Sequence, residues 1–536
     1  MKDKLKLICC VAVAVLVLLC GISAFVFLSR SATLLSALPL PDETRPYALV
    51  EAKDGGYPTA LSSLLTDGAY AQFRAGTARN CLLLLASEAE ECALLVDQEP
   101  DESLEIYAAL RFPKSDMKML KKGELPDSWK IALQSPEIMA GPAKDTWMVR
   151  MAQVEQPLYY KVDGSRAVMA ADDTTFKKLL SVLDGGEKDA GKFKWNDEKS
   201  WPGHIEICDG GLLFADKTKK ADERDPLKLQ AAWNKPQSRD ETEVGEAKWS
   251  IIGLDKRAGT LALSALTAKK WDTQNCLIPD PLLLSAGFNI PKLGGSPADW
   301  PFPLSSLGEL GHKMDLSDGE IRDLLSGQTV FSLGGRNRIL WFTLPGFMVE
   351  LSGGRDKLEP LVSKFWQKLF PDSEVKPANG FEYGGSAQVP FSVVGAGRGD
   401  MALLGLISPE SISEKNRLGK FLGNDEKAIG WVIADLPRIG AALSQMTKMN
   451  SFMQSESDED LYNGTDTNDN PQPQPDANEP FQPEGSVTPF DQSVSDAFGD
   501  VLKHLGKVLV VWEKPESGRI NWYRTAAKEG PAAEKK

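Results

Sequence analysis

The chain has 536 residues and a formal net charge of −14. Its composition, 42% hydrophobic and 25% charged, is that of an ordinary globular protein, and its length is sufficient for two or more hydrophobic cores. Residues 1–30 contribute a net charge of +3, so the remainder carries −17. An acidic surface disfavours nucleic acid and anionic lipid as partners, because both repel negative charge.

The first predicted element is a membrane-spanning helix over residues 7–28. This run of 22 residues contains no charged side chain and can cross a hydrocarbon core of about 30 Å. Lys2, Lys4 and Lys6 precede it, and Arg30 follows it closely. The positive-inside rule therefore predicts a cytoplasmic tail at residues 1–6 and a signal anchor whose downstream chain lies outside the membrane.

Two alternatives to an uncleaved anchor are open on the sequence. A cleaved signal peptide has an apolar region of about 7–15 residues and a small-residue cleavage site, whereas this run is longer and Ser29 and Arg30 make a poor site. A lipoprotein would use Cys20, but the bulky Leu18 and Leu19 precede it where small residues are wanted. Length favours a single-pass protein of a bacterial-type inner membrane, with most of its chain periplasmic or extracellular.

Four cysteines lie beyond the anchor, and the sequence leaves their pairing open. They are Cys81, Cys92, Cys208 and Cys276. An even number in an oxidising compartment allows two disulfides in three connectivities, and buried free thiols are the alternative. The runs 81–85 and 92–96 are predicted to form two strands of one hairpin. In that hairpin Cys81 lies opposite the far end of the second strand, too far from Cys92 for a bridge.

The rest of the chain is predicted to form two related units, at residues 40–270 and 300–528. Each shows a helical pattern followed by a strand, then a second helix, a hairpin, a third helix, an apolar strand with its own helix, and a two-stranded ending. The second helices are predicted at Ser115–Lys122 and Asp356–Phe370, the hairpin turns at Asp163-Gly164 and Gly395–Gly399, and the helices after the apolar strands at Leu227–Trp233 and Ile439–Met446.

The closing strands carry the clearest repetition. The run from Gly506 to Trp512 resembles the run from Ala247 to Ile252, and a glycine follows each of them. We therefore predict an α+β fold with mainly antiparallel strands, in which the two units are duplicated. They form either two domains or one pseudo-symmetric body.

The offsets between matched positions predict an insertion in the second unit. The offset is 219 at Asp216 and Asp435, and it is 259 at Gly259 and Gly518. The difference of 40 residues matches the acidic stretch 450–495, which has six prolines and no Lys or Arg. Such a stretch buries too little apolar surface to fold, so it is predicted to be disordered, as is the tail at 529–536.

No catalytic, cofactor-binding or metal-binding residues are predicted. His204, His312 and His504 each stand alone, whereas a zinc site needs clustered ligands. The glycine cluster 395–399 is followed by a strand, whereas a dinucleotide loop is followed by a helix. Asp216 and Asp435 occupy equivalent strand ends, where an aspartate more often bonds nearby backbone than forms a site.

The tryptophans provide the remaining functional indication. Six of them lie between residues 195 and 300: Trp195, Trp201, Trp233, Trp249, Trp271 and Trp300. Exposed tryptophans stack on sugars or on partner surfaces, so an envelope protein or a glycan is a candidate partner, but core packing is the commoner fate.

These observations favour a membrane-anchored binding or scaffolding module of a bacterial-type envelope, with no evident catalytic motif. The alternatives are an envelope hydrolase that uses scattered carboxylates and a tethered carrier of an apolar ligand. Buried convergent carboxylates would favour the hydrolase, an apolar cavity the carrier, and a flat aromatic patch the partner module. The oligomeric state is left open.

Overall fold

The computed structural model describes most of the chain between residues 34 and 525. The described residues are 34–52, 78–99, 104–133, 136–151, 154, 156–186, 188–190, 193, 195, 201–210, 226–234, 237–239, 242–253, 268–291, 294–300, 304–339, 342–412, 416–423, 426–443, 502 and 506–525. The predicted tail 1–6, the anchor 7–28, the insertion 450–495 and the tail 529–536 lie outside them, as do Asp216, Gly259 and His504. Within the described ranges, no helix combines the length and the apolar character that crossing a membrane requires.

The described chain is mostly strand, with a few helices. The strands are β1 (Pro46–Ala52), β2 (Glu91–Gln98), β3 (Leu104–Arg111), β4 (Glu137–Ala140), β5 (Thr146–Arg150), β6 (Leu158–Asp163), β7 (Arg166–Ala170), β8 (Gly203–Asp209), β9 (Lys228–Trp233), β10 (Gln237–Arg239), β11 (Thr242–Ile252), β12 (Lys269–Lys270), β13 (Leu282–Ile290), β14 (Gly327–Ile339), β15 (Phe342–Ser352), β16 (Tyr383–Val389), β17 (Phe391–Arg398), β18 (Met401–Leu406), β19 (Lys427–Ala428), β20 (Gly430–Asp435), β21 (Lys507–Lys514) and β22 (Ser517–Thr525). The helices are α1 (Ala78–Ser87), α2 (Lys114–Lys122), α3 (Asp127–Ala132), α4 (Asp173–Leu183), α5 (Leu304–Lys313), α6 (Asp318–Leu325), α7 (Arg355–Leu369) and α8 (436–443).

All these strands except β12 and β19 belong to one antiparallel sheet. From one edge inward the order is β4-β5-β6-β7-β3-β2-β1-β8-β9-β11, with β10 beside the end of β11. It continues outward as β22-β21-β20-β13-β14-β15-β18-β17-β16. The predicted α+β fold with mainly antiparallel strands is confirmed.

We call the pairing of β11 with β22 the seam, because it joins the first half of the sheet (β1–β11) to the second half (β13–β18 and β20–β22). The strand order is the same on both sides of this seam. Counting outward from the seam, β9, β8, β1, β2, β3, β7 and β6 of the first half occupy the places of β21, β20, β13, β14, β15, β18 and β17 of the second. By this order β11 corresponds to β22. The predicted correspondence between the end of β11 and β21 is therefore wrong by one strand.

The seam itself is built from reciprocal tryptophan–glycine pairs. Trp249 lies directly opposite Gly518, and Trp522 lies directly opposite Gly245. Each indole packs onto the glycine of the facing strand, where a Cβ atom on Gly245 would come within 1.9 Å of the Trp522 ring. The missing side chain therefore makes room for the large one, and the sheet stays continuous between its halves.

Two predicted elements are wrong in type. The run at 81–85 lies in helix α1 rather than in a strand, although its predicted partner is strand β2. The residues Leu227–Trp233 contain strand β9 rather than a helix. In β9, Leu229, Ala231 and Trp233 alternate with polar or small residues, and the strand fills the gap between β8 and β11. Short apolar runs satisfy both periods, so their tertiary neighbours decide.

Most of the other predicted elements occur where they were expected. Helices α2 and α7 match their predicted bounds to within one residue. The hairpin β6–β7 turns at Asp163-Gly164, where Gly164 has a φ of +60° that suits glycine. The turn predicted at Gly395–Gly399 is shorter than expected, because Gly395–Arg398 belong to β17 and the β17–β18 hairpin turns at Gly399. The third helix predicted for the second unit, after its hairpin, is only the 3-10 turn Pro409–Ser411.

Each face of the sheet is covered by a different set of helices and segments. On the front face, α1, α2 and α3 cover the first half and α5, α6 and α7 cover the second. On the back face, α4 and residues 34–38 cover the first half. Segments 271–278 and 418–422 cover the second half of the back face without a long helix. The two candidate sites lie in the second half, one beneath the front-face helices and the other beneath the back-face segments.

Candidate functional sites

An apolar cavity of about 310 Å³ lies between the front face of the second half and its helices. Its floor is formed by β15 and β18, and its walls are α5, α6 and α7. Every described lining residue is apolar or a glycine. The lining comprises Leu307, Leu310, Gly311, Met314, Leu316, Ile321, Leu324, Leu325, Phe347, Val349, Leu351, Leu361, Phe365, Leu369, Phe370, Leu404, Gly405 and Leu406.

Local sequence signals position the walls of this cavity. In α7, Leu361, Phe365 and Leu369 recur at helical spacing and point onto the sheet. Helix α6 begins with a capping box, in which the Ser317 hydroxyl accepts the Glu320 N–H and the Glu320 carboxylate accepts the Ser317 N–H. These interactions fix the ends of short helices that have little stability of their own.

A row of exposed apolar side chains crosses four strands beside the cavity. Leu284 pairs with Leu333, Leu333 with Phe347, and Phe347 with Leu406. Their exposed fractions are 36%, 42%, 44% and 41%, respectively. Phe347 and Leu406 also line the cavity. At a strand spacing of about 4.8 Å the row is about 14 Å long. Because Phe347 and Leu406 belong to both, the cavity opens onto this exposed apolar row.

A second, polar cavity of about 550 Å³ lies on the back face of the same half. The buried Glu350 of β15 lies at its floor, beneath the segment that contains Trp271 and Cys276. Its other described lining residues are Asp272, Asn275, Gln328, Val330, Ser352, Gly353, Arg398, Gly399, Asp400 and Met401. A cavity of this size falls within the range of small-molecule sites.

Glu350 is fixed by the segment that covers it. Its Oε2 atom accepts the Leu277 N–H at 3.0 Å, and the Cys276 thiol also bonds to its carboxyl group. Burial raises the pKa of Glu350 to about 8, because desolvation disfavours the charged form more than these two hydrogen bonds favour it. At neutral pH this carboxyl group is therefore mostly protonated.

The polar side chains at the rim of the polar cavity are held by hydrogen bonds to neighbouring residues. Asp272 accepts the Asn275 backbone N–H at 3.1 Å and the Asn275 side-chain amide at 2.8 Å. Gln328 donates to the Lys270 carbonyl at 2.8 Å, and the Arg398 guanidinium lies 3.5 Å from the Asn275 side-chain oxygen. The polar groups of this rim are therefore arranged before any ligand binds.

Two buried carboxylates of the first half, Glu206 and Glu105, belong to hydrogen-bonded networks. Glu206 accepts hydrogen bonds from the Tyr47 hydroxyl and the Gln230 amide. Glu105 accepts two hydrogen bonds from Lys178, at 2.8 and 2.9 Å. Their partners are other side chains of the sheet and its cover, which favours a structural role.

The tryptophans are mainly part of the core. Trp201, Trp233, Trp249, Trp271 and Trp300 are buried. Trp195 is only partly buried, and its indole donates to Glu51 at 2.8 Å and stacks on His204 with 5.0 Å between the ring centres. The alternative of core packing is therefore confirmed, and the described tryptophans form no flat aromatic patch.

The other predicted single residues have structural surroundings. His204 is buried, whereas the exposed His312 bonds to Asp318 at 2.8 Å. Asp435 ends β20 and accepts the Arg438 N–H of α8 at 3.3 Å, and Lys507 lies 3.3 Å from its carboxylate. In the described part of the chain there is no group of three or more His, Cys, Asp or Glu side chains that could hold a metal ion.

Sequence reasoning missed both cavities. Glu350 is a single acidic residue within an apolar strand. Only this interruption of the apolar run Met348, Val349 and Leu351 could have indicated the polar cavity. Comparison with protein-family models, with curated proteins and with solved structures found no match to this chain. Its function is therefore inferred from the chemistry of the two cavities.

Proposed function

We propose that this protein is a membrane-anchored binding module of a bacterial-type envelope that holds an alkyl chain in the apolar cavity of its second half. The observation that carries the proposal is the continuous apolar surface from the cavity to the row Leu284, Leu333, Phe347 and Leu406. Exposed apolar rows of this kind are uncommon on proteins without a partner or ligand.

The chemistry of the lining selects an apolar chain rather than a polar molecule. A polar ligand would lose its hydrogen bonds to water in this cavity, where the described side chains offer no replacement. An alkyl chain gains about 0.8 kcal/mol for each methylene group buried. The predicted anchor at residues 7–28 would keep the cavity close to lipid, which is the most abundant source of such chains.

The proposal also includes a duplication that produced the two halves of the sheet. The shared strand order of the two halves supports a duplication, and the single sheet supports one pseudo-symmetric body rather than two separable domains. The apolar cavity lies in the second half. We infer that the first half mainly stabilises the sheet on which that cavity is built.

The test is photolabelling of the full chain in lipid nanodiscs with diazirine-bearing fatty acids of 8 to 16 carbons. Labelled peptides are expected from α5, α7 and β15, because these elements line the cavity. Apparent affinity should rise about fourfold per methylene group until the cavity and the row are filled. Mass spectrometry of the peptides identifies the labelled positions.

A matched pair of double variants distinguishes labelling at this cavity from nonspecific hydrophobic binding. F347D/L406D places two charges on the mouth of the cavity and should reduce labelling at least tenfold. L40D/L104D changes two leucines of similar exposure in the first half and should leave labelling unchanged. Equal labelling of both variants, or saturable displacement by an apolar peptide but not by fatty acids, would reject the alkyl-chain proposal.

A further inference from the structure

We propose that the polar cavity on the back face binds a small molecule through a primary ammonium group, which lies against the carboxylate of Glu350. This site is separate from the apolar cavity, since the two lie on opposite faces of β15. Alternating residues of one strand point to opposite faces, and Val349 lines the apolar cavity while Glu350 lines the polar one.

The charge of the cavity selects a cation. Its described lining includes the carboxyl groups of Glu350, Asp272 and Asp400 and the guanidinium of Arg398. The net charge is therefore −2 when Glu350 is ionised and −1 when it is protonated. Low-dielectric walls concentrate this potential inside the cavity, so a cationic ligand is attracted and an anion is repelled.

Glu350 is placed to receive the ammonium group. Its side chain is only 3% exposed, yet it lines a cavity that is large enough for a small organic molecule. The Leu277 N–H and the Cys276 thiol hold the carboxyl group in position. A carboxylate fixed in this way and shielded from water forms a strong charge-assisted hydrogen bond with an N–H donor.

The rim determines what the rest of the ligand can be. Asn275 and Gln328 contribute side-chain amides to the lining, and Arg398 contributes a guanidinium that lies 3.5 Å from the Asn275 side-chain oxygen. A diamine would place its second ammonium group near Asp272 or Asp400. An amino acid would place its carboxylate near Arg398. Both share the primary ammonium group, and the experiment distinguishes them.

Binding should depend on pH with a definite sign. The pKa of Glu350 is about 8, and the ionisable groups that face it are Cys276, Asp272 and Arg398. Only the ionised carboxylate attracts the cation. Below that pKa each rise of one pH unit increases the ionised fraction about tenfold, whereas a primary amine with a pKa near 10 stays charged. Affinity should therefore rise about tenfold from pH 6 to pH 7 and level off above pH 8.

The experiment is titration calorimetry of the full chain with putrescine, L-alanine and butan-1-ol. We expect saturable binding of putrescine or of L-alanine and none of butan-1-ol, which has no charge. In two buffers of different ionisation enthalpy, binding at pH 7 should release close to one proton, because Glu350 ionises. The better amine ligand identifies the group that occupies the rim.

Two substitutions test the role of Glu350. E350Q keeps the size of the side chain and should weaken binding at least tenfold, abolish proton release and flatten the pH profile. E206Q makes the same change at a buried carboxylate of the first half and should alter none of these. D400N, at the exposed rim, should weaken binding two- to fivefold and keeps the test informative if E350Q fails to fold.

The proposal is overturned by any of three results. These are no binding of either amine at millimolar concentration, binding without proton release at pH 7, or E350Q binding that matches the wild type. None of them bears on the alkyl-chain function, because photolabelling of the front-face cavity is measured independently.

Discussion

Cys81, Cys92, Cys208 and Cys276 are buried and form no disulfide with one another in the structure. Cys81 lies in α1 and Cys92 in β2, so the predicted hairpin between them does not exist, although the conclusion that they are not bridged is correct. Burial raises the pKa of Cys81 and of Cys208 to about 11 and raises the pKa of Cys92 and of Cys276 well above the ordinary thiol value. These thiols belong to the core.

We expect these four thiols to resist alkylation in the native protein. At pH 7.5 they are both inaccessible and protonated, and the thiolate is the reactive form. Iodoacetamide should label their peptides at least a hundredfold more slowly in native protein than in urea, as measured by mass spectrometry. Labelling of Cys276 at the rate of a free cysteine would show that the cover of the polar cavity opens readily.

At the scale of elements, tryptophan–glycine pairs recur in the centre of the sheet. Trp233 packs over Gly203 and Trp431 over Gly287, each in the directly facing position. The two pairs across the β11–β22 seam follow the same rule. Glycine normally weakens a strand, but here its missing Cβ atom allows an indole ring to lie flat on the neighbouring strand.

Gly245→Ala is expected to destabilise the protein by about 1–3 kcal/mol, because the new Cβ atom would force the buried Trp522 ring to move. Gly319→Ala is the matched control. It lies in α6 with its nearest neighbour atom at 3.9 Å, so alanine should be neutral or stabilising by up to about 1 kcal/mol. Urea unfolding of both variants measures the difference, and equal stability would contradict the packing argument.

Elements with a long and regular pattern were predictable from sequence, and short apolar elements were not. Helix α7 shows its buried residues at helical spacing over four turns, and its bounds were predicted almost correctly. Helix α1 and strand β9 are short apolar runs whose local patterns fit both types of structure. Their neighbours in the fold decided between helix and strand.

At the scale of the whole molecule, the last two described strands join the halves. β22 pairs along nine residues of β11, and β21 pairs with β20. Without β21 and β22, both β11 and β20 would present unpaired edges that invite aggregation. The first half is therefore connected to the second by the final strands of the chain.

A chain that ends at residue 505 should fail to fold cooperatively, because it lacks β21 and β22. A chain that ends at residue 525 keeps both strands and should melt like the full chain. Thermal unfolding by circular dichroism, together with size-exclusion chromatography, compares the two. A cooperative, monomeric product from the shorter chain would show that the halves fold without the seam.

The sequence by itself determined the α+β class, the antiparallel strand content and the order of many elements, because these follow from periodicity and turn chemistry along the chain. It also predicted a duplication, which the shared strand order of the halves supports. The tertiary structure decided how the halves join and where the cavities lie. Glu350 meets Cys276, and Phe347 meets Leu406, only after folding, and such long-range contacts leave no mark in local sequence.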